Sequence, residues 1–374
     1  MELFLVFTVL VVALGFTYTN GFHDTANAIA TSVATKVLTP RQAILLSTVF
    51  NLIGALMGTA VAITVGKGLV DTQLINQMTI LCALIAAVGW NLFTWWLGLP
   101  SSSSHALIGG LCGAALATAH GNWAAIIWSK RTQIDALTGE TVPLAFCRSE
   151  GMWPKVIAPM FLAPLCGLVA GFVVMGILYV LLRNWRPHTV SRLFGRFQLI
   201  SASWMSLEHG RNDAQKNMGI IALTLFTATN AGTLDNLPPW LAFLRTPEFT
   251  IALWLKLLCA AVIAFGTAAG GWRIINTMGK GVMKMQTIHG FAAQATAASV
   301  IGLATEFGIP LSTTQVISSA IMGVGASKRL SAVKWMLVER MVWAWVLTLP
   351  ATALVAFVLV WIGNALGFVP AVAH

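Results

Sequence analysis

The chain has 374 residues, of which 57% are apolar and only 9% are charged. Soluble domains carry about 25% charged residues, and disordered chains are poor in the aromatic residues that are frequent here, so both classes are excluded. The formal net charge is +10, but the 22 Lys and Arg are scattered between apolar blocks rather than gathered on one basic face. The charge therefore indicates membrane topology and not a nucleic-acid partner.

The apolar blocks predict an all-α polytopic membrane protein with a lipid bilayer as its solvent. A bilayer requires about 20 apolar residues per helix, and we expect about ten to twelve transmembrane helices. The first block is expected to be a retained span and not a signal peptide, because no basic segment precedes it. The clearest crossings, of which 198–228 contains a polar break, are 3–19, 42–65, 77–97, 104–128, 156–182, 198–228, 249–270, 287–304, 311–327 and 335–362.

The distribution of Lys and Arg between the loops predicts the orientation. Cations are in excess on the side that holds the segments 36–41, 183–196, 273–284 and 328–334. Cytoplasmic loops carry such an excess, so the central basic loop, 183–197, is expected in the cytoplasm and both termini outside, in the periplasm. The segment 129–155 would then be the largest outside loop, unless a re-entrant hairpin reverses its side.

The first polar motif occurs once in each half of the chain. Residues 21–30, Gly-Phe-His-Asp-Thr-Ala-Asn-Ala-Ile-Ala, align without gaps on residues 210–219, Gly-Arg-Asn-Asp-Ala-Gln-Lys-Asn-Met-Gly. The alignment pairs Asp24 with Asp213. Both motifs lie between apolar blocks, which indicates that the carboxylates lie at membrane depth.

The second polar motif also occurs in each half. Residues 98–105, Gly-Leu-Pro-Ser-Ser-Ser-Ser-His, align on residues 308–315, Gly-Ile-Pro-Leu-Ser-Thr-Thr-Gln, and Gly113 and Gly323 follow. Two matches in the same order indicate an internal duplication.

An odd number of crossings in each half would give the halves opposite orientations. We therefore expect a first inverted repeat at 1–182 and a second at 198–374, with broken or re-entrant helices at the midplane. Secondary transporters of this kind bind their substrate between the repeats.

Each Pro-Ser/Thr motif predicts a helix start that attracts an anion. Proline suits the first turn of a helix, and hydroxyls beside the free N–H groups of that turn complement a negative ligand. Helix capping and interhelical hydrogen bonds are the alternative roles. The hydroxyls expected to bind a tetrahedral oxyanion are those of Ser102, Ser103, Ser104, Ser312, Thr313 and Thr314.

The two aspartates predict coupling between a cation and an anion. A charge at membrane depth costs at least ~2.5–3.5 kcal/mol, so Asp24 and Asp213 are expected to be functional. They would repel an anion unless a proton or a metal cation neutralised them. Asn27, Asn212 and Asn217 lie nearby in the sequence and supply neutral oxygen ligands or amide donors.

Lys216 stands where the first half has Asn27. It is expected either to pair with Asp213 or to contact the anion. The alternative is a salt-bridge network in which Glu208 and Arg211 also take part.

Three histidines, His23, His105 and His209, lie within or beside these motifs. The ordinary pKa of histidine is close to neutral, so each is a candidate proton carrier. The alternative role for each is an interhelical hydrogen bond.

Together these motifs resemble the inorganic phosphate transporter (PiT) family, and in particular its bacterial low-affinity branch. The resemblance implies a homodimeric importer of the bacterial inner membrane, coupled to H⁺ or, as elsewhere in the family, to Na⁺. It leaves open whether phosphate travels free or as a divalent-metal complex, and it implies no resident cofactor. The matching segments are 20–28, 90–91, 98–105, 209–216, 271–273, 294–298 and 308–315.

The resemblance also implies roles for particular residues. Asp24, Asn27 and Asp213 match cation- and phosphate-associated positions, and the Ser/Thr hydroxyls match phosphate-binding positions. Arg211 and Gln315 depart from the family pattern, which leaves sulfate as the alternative substrate. A passive anion channel would not need the aspartates, and a membrane enzyme finds no nucleophile-base set here. We expect a phosphate–cation symporter that works by alternating access, by rocking or elevator motion.

Overall fold

The computed structural model describes residues 2–134, 141–145, 149–278 and 282–367. Within these ranges the chain is helical apart from its loops and one pair of short antiparallel strands. The helices are α1 (Glu2–Ala34), α2 (Pro40–Ala55), α3 (Ala60–Lys67), α4 (Gln77–Leu97), α5 (Ser103–Thr118), α6 (Ala158–Leu181), α7 (Pro187–Asn230), α8 (Leu253–Ala269), α9 (Trp272–Asn276), α10 (Thr287–Glu306), α11 (Thr313–Lys328) and α12 (Trp335–Ala365). Strands β1 (Thr132–Ile134) and β2 (Thr141–Pro143) pair antiparallel within the segment predicted as the largest loop.

Four described helices are long and apolar enough to cross a bilayer. They are α1, α4, α12 and the helix Trp153–Leu181, which consists of a π-helical turn and α6. Helices α2 and α3 would form a fifth span together, bent by 72° at the break between them. This composition is typical of a multi-pass membrane protein, and the larger number of crossings expected from the sequence stays a prediction.

Helices α1 and α7 continue through the aspartate motifs. The polar residues within 198–228 therefore do not interrupt the helix, since α7 runs unbroken from Pro187 to Asn230. The physical reason is that the polar side chains of the motif find partners on neighbouring helices, as described below, so the backbone keeps its own hydrogen bonds. The same helix takes up most of the basic segment predicted as a loop, because Pro187 starts it in the N-terminal position that proline favours.

The breaks lie instead at the Pro-Ser/Thr motifs. Gly98 ends α4 with φ 67°, and Gly308 follows α10 with φ 65°, a left-handed conformation that glycine adopts without steric cost. Ser102 and Ser312 then cap α5 and α11 by accepting a hydrogen bond from the backbone N–H three residues on, over 3.1 and 3.3 Å. The prolines lie in the short connections and not in the first helical turn as expected, because the serine caps begin each helix later.

Helices α5 and α11 are buried along most of their length. Gly113 lets α5 approach α12, since a Cβ there would lie 2.0 Å from the carbonyl oxygen of Ala353. Gly323 does the same for α11 against α6, with a Cβ 2.0 Å from the oxygen of Leu168. Each helix is thereby held beside an apolar span, and its N-terminus lies in the protein interior.

Candidate functional site

The N-terminal ends of α5 and α11 meet the C-terminal third of α1 and the middle of α7 in a buried polar cluster, which we call the central site. Its side chains are each at most 5% exposed, so the site is closed to solvent in this conformation. The members predicted from the sequence are His23, Asp24, Asn27, Ser102, Ser103, Ser104, His105, His209, Asp213, Lys216, Ser312, Thr313 and Thr314.

Asp24 receives hydroxyl groups from both halves of the chain. Ser103, at the start of α5, donates to Oδ2 over 2.7 Å, and Thr314, at the start of α11, donates to Oδ1 over 3.3 Å. Nδ1 of His23 lies 2.9 Å from the same Oδ1. The carboxylate therefore joins the two Ser/Thr motifs, as two motifs acting on one ligand require.

Asn27, one helical turn beyond Asp24, also contacts α11. Its amide Nδ2 donates to the hydroxyls of Thr313 and Thr314 over 3.1 and 2.9 Å. Among the described residues, its carbonyl Oδ1 has no hydrogen-bond partner. This oxygen is buried and available to a cation or to a hydrogen-bond donor.

Asp213, the counterpart of Asp24, lies among positively charged and titratable groups. Its Oδ1 is 2.6 Å from the ammonium nitrogen of Lys216, and its Oδ2 is 3.2 Å from Nε2 of His209. The hydroxyl of Thr313 donates to Oδ2 over 3.5 Å, which is a weak contact. Lys216 therefore balances the charge of Asp213 directly.

Lys216 uses all three of its donors. Besides Asp213, the ammonium donates to the hydroxyl of Ser104 and to the main-chain oxygen of Leu311, the latter over 2.6 Å. An ammonium group has three N–H bonds and no acceptor, so an anion would have to displace one of these partners.

The motifs of the two halves make corresponding contacts under the sequence alignment. Each aspartate accepts from a hydroxyl of its own half, and each residue three positions later donates to a hydroxyl of the opposite half. The pairs are Asp24 with Ser103 and Asp213 with Thr313, then Asn27 with Thr314 and Lys216 with Ser104.

Arg211 belongs to a different network. Its guanidinium pairs with Glu208, over 3.5 Å, and with Glu306 on α10. Arg211 is partly exposed at 15%, and the side chain of Glu306 is 64% exposed, so this network leads from the interior to the surface. The alternative salt-bridge network of four residues is thus divided into two, and Lys216 pairs with Asp213 alone.

His23 connects Asp24 to a row of hydroxyls. Its Nε2 lies 3.1 Å from the hydroxyl of Thr94 on α4, which in turn lies 2.8 Å from the hydroxyl of Ser101. An imidazole and a hydroxyl can each accept and donate a hydrogen bond. The Thr94 hydroxyl also donates to the main-chain oxygen of Trp90 over 2.9 Å, so the row can act as a proton relay to the carboxylate once that hydroxyl turns away from its own helix.

The other two candidate histidines differ in their surroundings. Nδ1 of His209 lies 2.9 Å from the amide oxygen of Asn51, which fixes the ring while Nε2 faces Asp213. His105 lies 3.5 Å from the amide of Gln315, a distance too long for a strong hydrogen bond, and its backbone N–H serves the Ser102 cap. His209 therefore lies within reach of a carboxylate, as His23 does.

Asp24, His209 and Asp213 form a group that could hold a metal ion. One ligand atom from each lies within 4.8 Å of the others, and all three side chains are buried. Carboxylate oxygens with an imidazole nitrogen suit several divalent cations. No metal site was predicted from the sequence, because His209 lies outside the aligned segment 210–219 and Asp24 lies in the other half of the chain.

Asn212 and Asn217 lie beside the central site and are not joined to its carboxylates. The amide of Asn212 donates to Thr305 and to the main-chain oxygen of Ile309 over 2.8 and 3.3 Å, toward the end of α10. Neither polar atom of Asn217 has a partner among the described residues.

Sequence reasoning missed several contributors to the site, among them Asn51, which fixes the ring of His209. The carbonyl of Leu311 faces Lys216 because it lies in the break before α11, where main-chain oxygens are outside the helical ladder. The Gly-Ile-Pro sequence at 308–310 indicates this chain break, so this main-chain oxygen could have been inferred from the sequence. Thr94 gave no signal, since a threonine within an apolar helix usually bonds its own backbone.

Comparison with known proteins gives consistent matches over nearly the whole chain. A sequence model described as the phosphate transporter family matches residues 20–356. The chain is 40% identical over 370 residues to a Mycobacterium leprae protein named "Probable low-affinity inorganic phosphate transporter". The alignment covers 99% of this chain and 81% of the relative. A Bacillus subtilis protein with the same name is 40% identical, covering 94% and 96% of the two chains.

A solved structure named "The sodium-dependent phosphate transporter" has the same fold. It superposes with a TM-score of 0.76 at 20% sequence identity and covers 96% of this chain and 99% of its own. Since the family and the relatives are transporters, the enzyme hypothesis is excluded.

Proposed function

This chain belongs to the phosphate transporter family, and we propose that it is a secondary active transporter that imports inorganic phosphate with a coupled cation, the proton. The observation that carries this proposal is the hydrogen bonding of Asp24 to hydroxyls from both α5 and α11 in a closed interior. The names of the relatives in Mycobacterium leprae and Bacillus subtilis support phosphate as the cargo.

Phosphate is proposed to bind where the hydroxyls now donate to carboxylates. The ligands are the hydroxyls of the two Ser/Thr motifs, the amide of Asn27 and the ammonium of Lys216, which together offer donors to a tetrahedral anion. Hydrogen phosphate also carries a proton that it can donate to a carboxylate. Sulfate has none at neutral pH, so the aspartates favour phosphate over the alternative substrate.

The cation is proposed to act at Asp24. The partners of this carboxylate are hydroxyls and His23, and no Lys or Arg among the described residues pairs with it. Its negative charge must therefore be neutralised before an anion can lie beside it. The relay through His23 and Thr94 favours a proton, and His209 is a second candidate carrier beside Asp213. Sodium is the alternative, since Asn27, Asn212 and Asn217 each have a buried Oδ1 without a partner among the described residues.

Alternating access is proposed to move a unit carrying both helix ends against the apolar spans. The corresponding contacts of the two motifs support inverted repeats at 1–182 and 198–374. We propose ten to twelve transmembrane helices for the two repeats together. We place the protein in the bacterial inner membrane as a homodimer, with both termini periplasmic and 183–197 facing the cytoplasm.

The test is uptake of radiolabelled phosphate into proteoliposomes that contain the purified protein. We expect accumulation driven by an inward proton gradient, competed weakly by sulfate. Absence of accumulation under both a proton and a sodium gradient would contradict the symporter. Unchanged flux in the variants Asp24→Asn and Asp213→Asn would instead favour a channel.

Carriage of phosphate as a divalent-metal complex is a second candidate, favoured by the grouping of Asp24, His209 and Asp213. The metal would then be cargo. Dual-label uptake of phosphate and zinc separates the two forms: equal molar uptake of both supports the complex, and full phosphate uptake in the presence of a chelator opposes it.

A further inference from the structure

The ammonium of Lys216 is surrounded by the oxygen types that bind metal cations. Its partners are a carboxylate oxygen of Asp213 at 2.6 Å, the hydroxyl of Ser104, and the main-chain oxygen of Leu311 at 2.6 Å. Hard cations take this mixture of carboxylate, hydroxyl and carbonyl ligands, and unwound carbonyls at helix breaks serve as cation ligands in transporters. The side chain is 1% exposed, so its charge is balanced within the protein.

The first half has no such charge at the matching position. Asn27 occupies it, with a neutral amide that donates to Thr313 and Thr314. Both carboxylates have hydroxyl and imidazole neighbours, but only Asp213 also pairs with an ammonium group, that of Lys216 three residues later. The paired hydroxyl contacts of the two motifs correspond, and among these paired positions only 216 carries a charge that its counterpart lacks.

We propose that Lys216 is a tethered cation that replaces a sodium ion in the second half of the site and thereby makes transport independent of sodium. The inference rests on the proposed phosphate–cation symport and names the residue that sets its ion specificity. A mobile cation is then required only at Asp24.

Removal of the ammonium should convert this position into a sodium site. A buried carboxylate without its partner is strongly unfavourable, so Asp213, Ser104 and Leu311 would leave an oxygen-lined space with a net negative charge. Sodium can enter that space and restore the balance, whereas the larger choline cation cannot. The variant Lys216→Asn introduces the side chain of the first half and is the direct test.

The first measurement is the thermal unfolding temperature of the purified protein in detergent as sodium chloride replaces choline chloride at constant ionic strength. A ligand that binds the folded state raises this temperature. We expect a sodium-dependent rise for Lys216→Asn and none for the wild-type protein. Lys36→Asn is the matched control, because Lys36 is exposed and has φ 60°, a conformation that asparagine tolerates.

The second measurement is phosphate uptake with and without sodium under the same proton gradient. Wild-type uptake should be unaffected by sodium, and Lys216→Asn should be stimulated on the order of fivefold or more, as expected for coupling between two sites. If the asparagine variant fails to fold, both measurements are made on Lys216→Gln instead. A wild-type protein that requires sodium overturns the inference whatever the variants do.

The two arms separate this inference from the proposed function. Absence of phosphate uptake by the wild-type protein contradicts the symporter. The unfolding measurement does not depend on uptake, so it still tests whether sodium binds at position 216. Sodium-insensitive unfolding of a folded Lys216 variant contradicts the tethered cation, even when wild-type uptake proceeds.

Discussion

The hydroxyl of Thr314 donates to Oδ1 of Asp24 over 3.3 Å, although 290 residues separate them in the chain. The same carboxylate accepts from Ser103 on the opposite helix end. The central site is therefore built from both halves, and neither half contains all the residues that form it.

Asp24→Asn should strongly reduce gradient-driven accumulation of phosphate. The amide is isosteric but carries no charge, so it cannot take up a proton and loses the charge-assisted hydrogen bonds from Ser103 and Thr314. We expect concentrative uptake to fall on the order of tenfold or more, measured in proteoliposomes.

Asp235→Asn is the control for this substitution. Asp235 lies at the surface in an ion pair with Arg245, with its side chain 55% exposed. Its removal should leave uptake within about twofold of wild type, because surface ion pairs contribute little. Equal losses in both variants would point to misfolding and would contradict a special role for Asp24.

Ser103→Ala and Thr314→Ala should each weaken phosphate binding. One hydrogen bond contributes about 0.5–1.5 kcal/mol, so we expect a two- to tenfold rise in KM for each. Because both hydroxyls contact one carboxylate, the double variant should depart from additivity. Ser327→Ala, which removes a hydroxyl bonded within its own helix, is the matched control, and an equal effect there would oppose the assignment.

Gly113→Ala and Gly323→Ala should destabilise the fold. The added methyl groups would lie 2.0 Å from main-chain oxygens of α12 and α6, and such overpacking costs about 1–3 kcal/mol. Thermal unfolding in detergent measures the effect.

Gly89→Ala is the control for the two glycines, because a methyl group at Gly89 meets nothing within 4 Å. It should leave stability unchanged or raise it by up to about 1 kcal/mol, since alanine is the better helix former. Similar stability of all three variants would contradict close helix contact at positions 113 and 323.

Arg211→Gln should leave the preference for phosphate over sulfate unchanged. The guanidinium pairs with Glu208 and Glu306, and its charge is already balanced there. Competition between the two anions during uptake measures the preference, for which we expect a change of less than about threefold, equivalent to less than 1 kcal/mol. A marked shift toward either anion would show that Arg211 contacts the substrate.

The sequence motifs predicted most members of the central site. Each polar group at membrane depth must find a polar partner, and the repeated motifs limited the number of candidate partners. Asp24, Asn27 and the hydroxyls of both Ser/Thr motifs lie together as expected. The family resemblance is confirmed by the match over residues 20–356.

The ion-pair partners of individual charged residues could not be predicted from the sequence. Lys216 and Arg211 lie five residues apart on α7, and helical periodicity alone places neither. Their directions follow from the packing of α7 against α1, α2 and α10, which is a property of the tertiary structure. For the same reason the continuity of α1 and α7 was not foreseen, since it depends on partners supplied by other helices.

The lengths of the buried helices bear on how the bilayer acts on this protein. Helices α5 and α11 have 16 residues each and extend about 24 Å, less than the ~30 Å hydrocarbon thickness, whereas α6 and α12 have 24 and 31 residues. Hydrophobic mismatch therefore falls on the outer helices. A thicker or thinner membrane would tilt α6 and α12, and their contacts with Gly113 and Gly323 would transmit that tilt to α5 and α11, whose N-terminal ends form part of the central site.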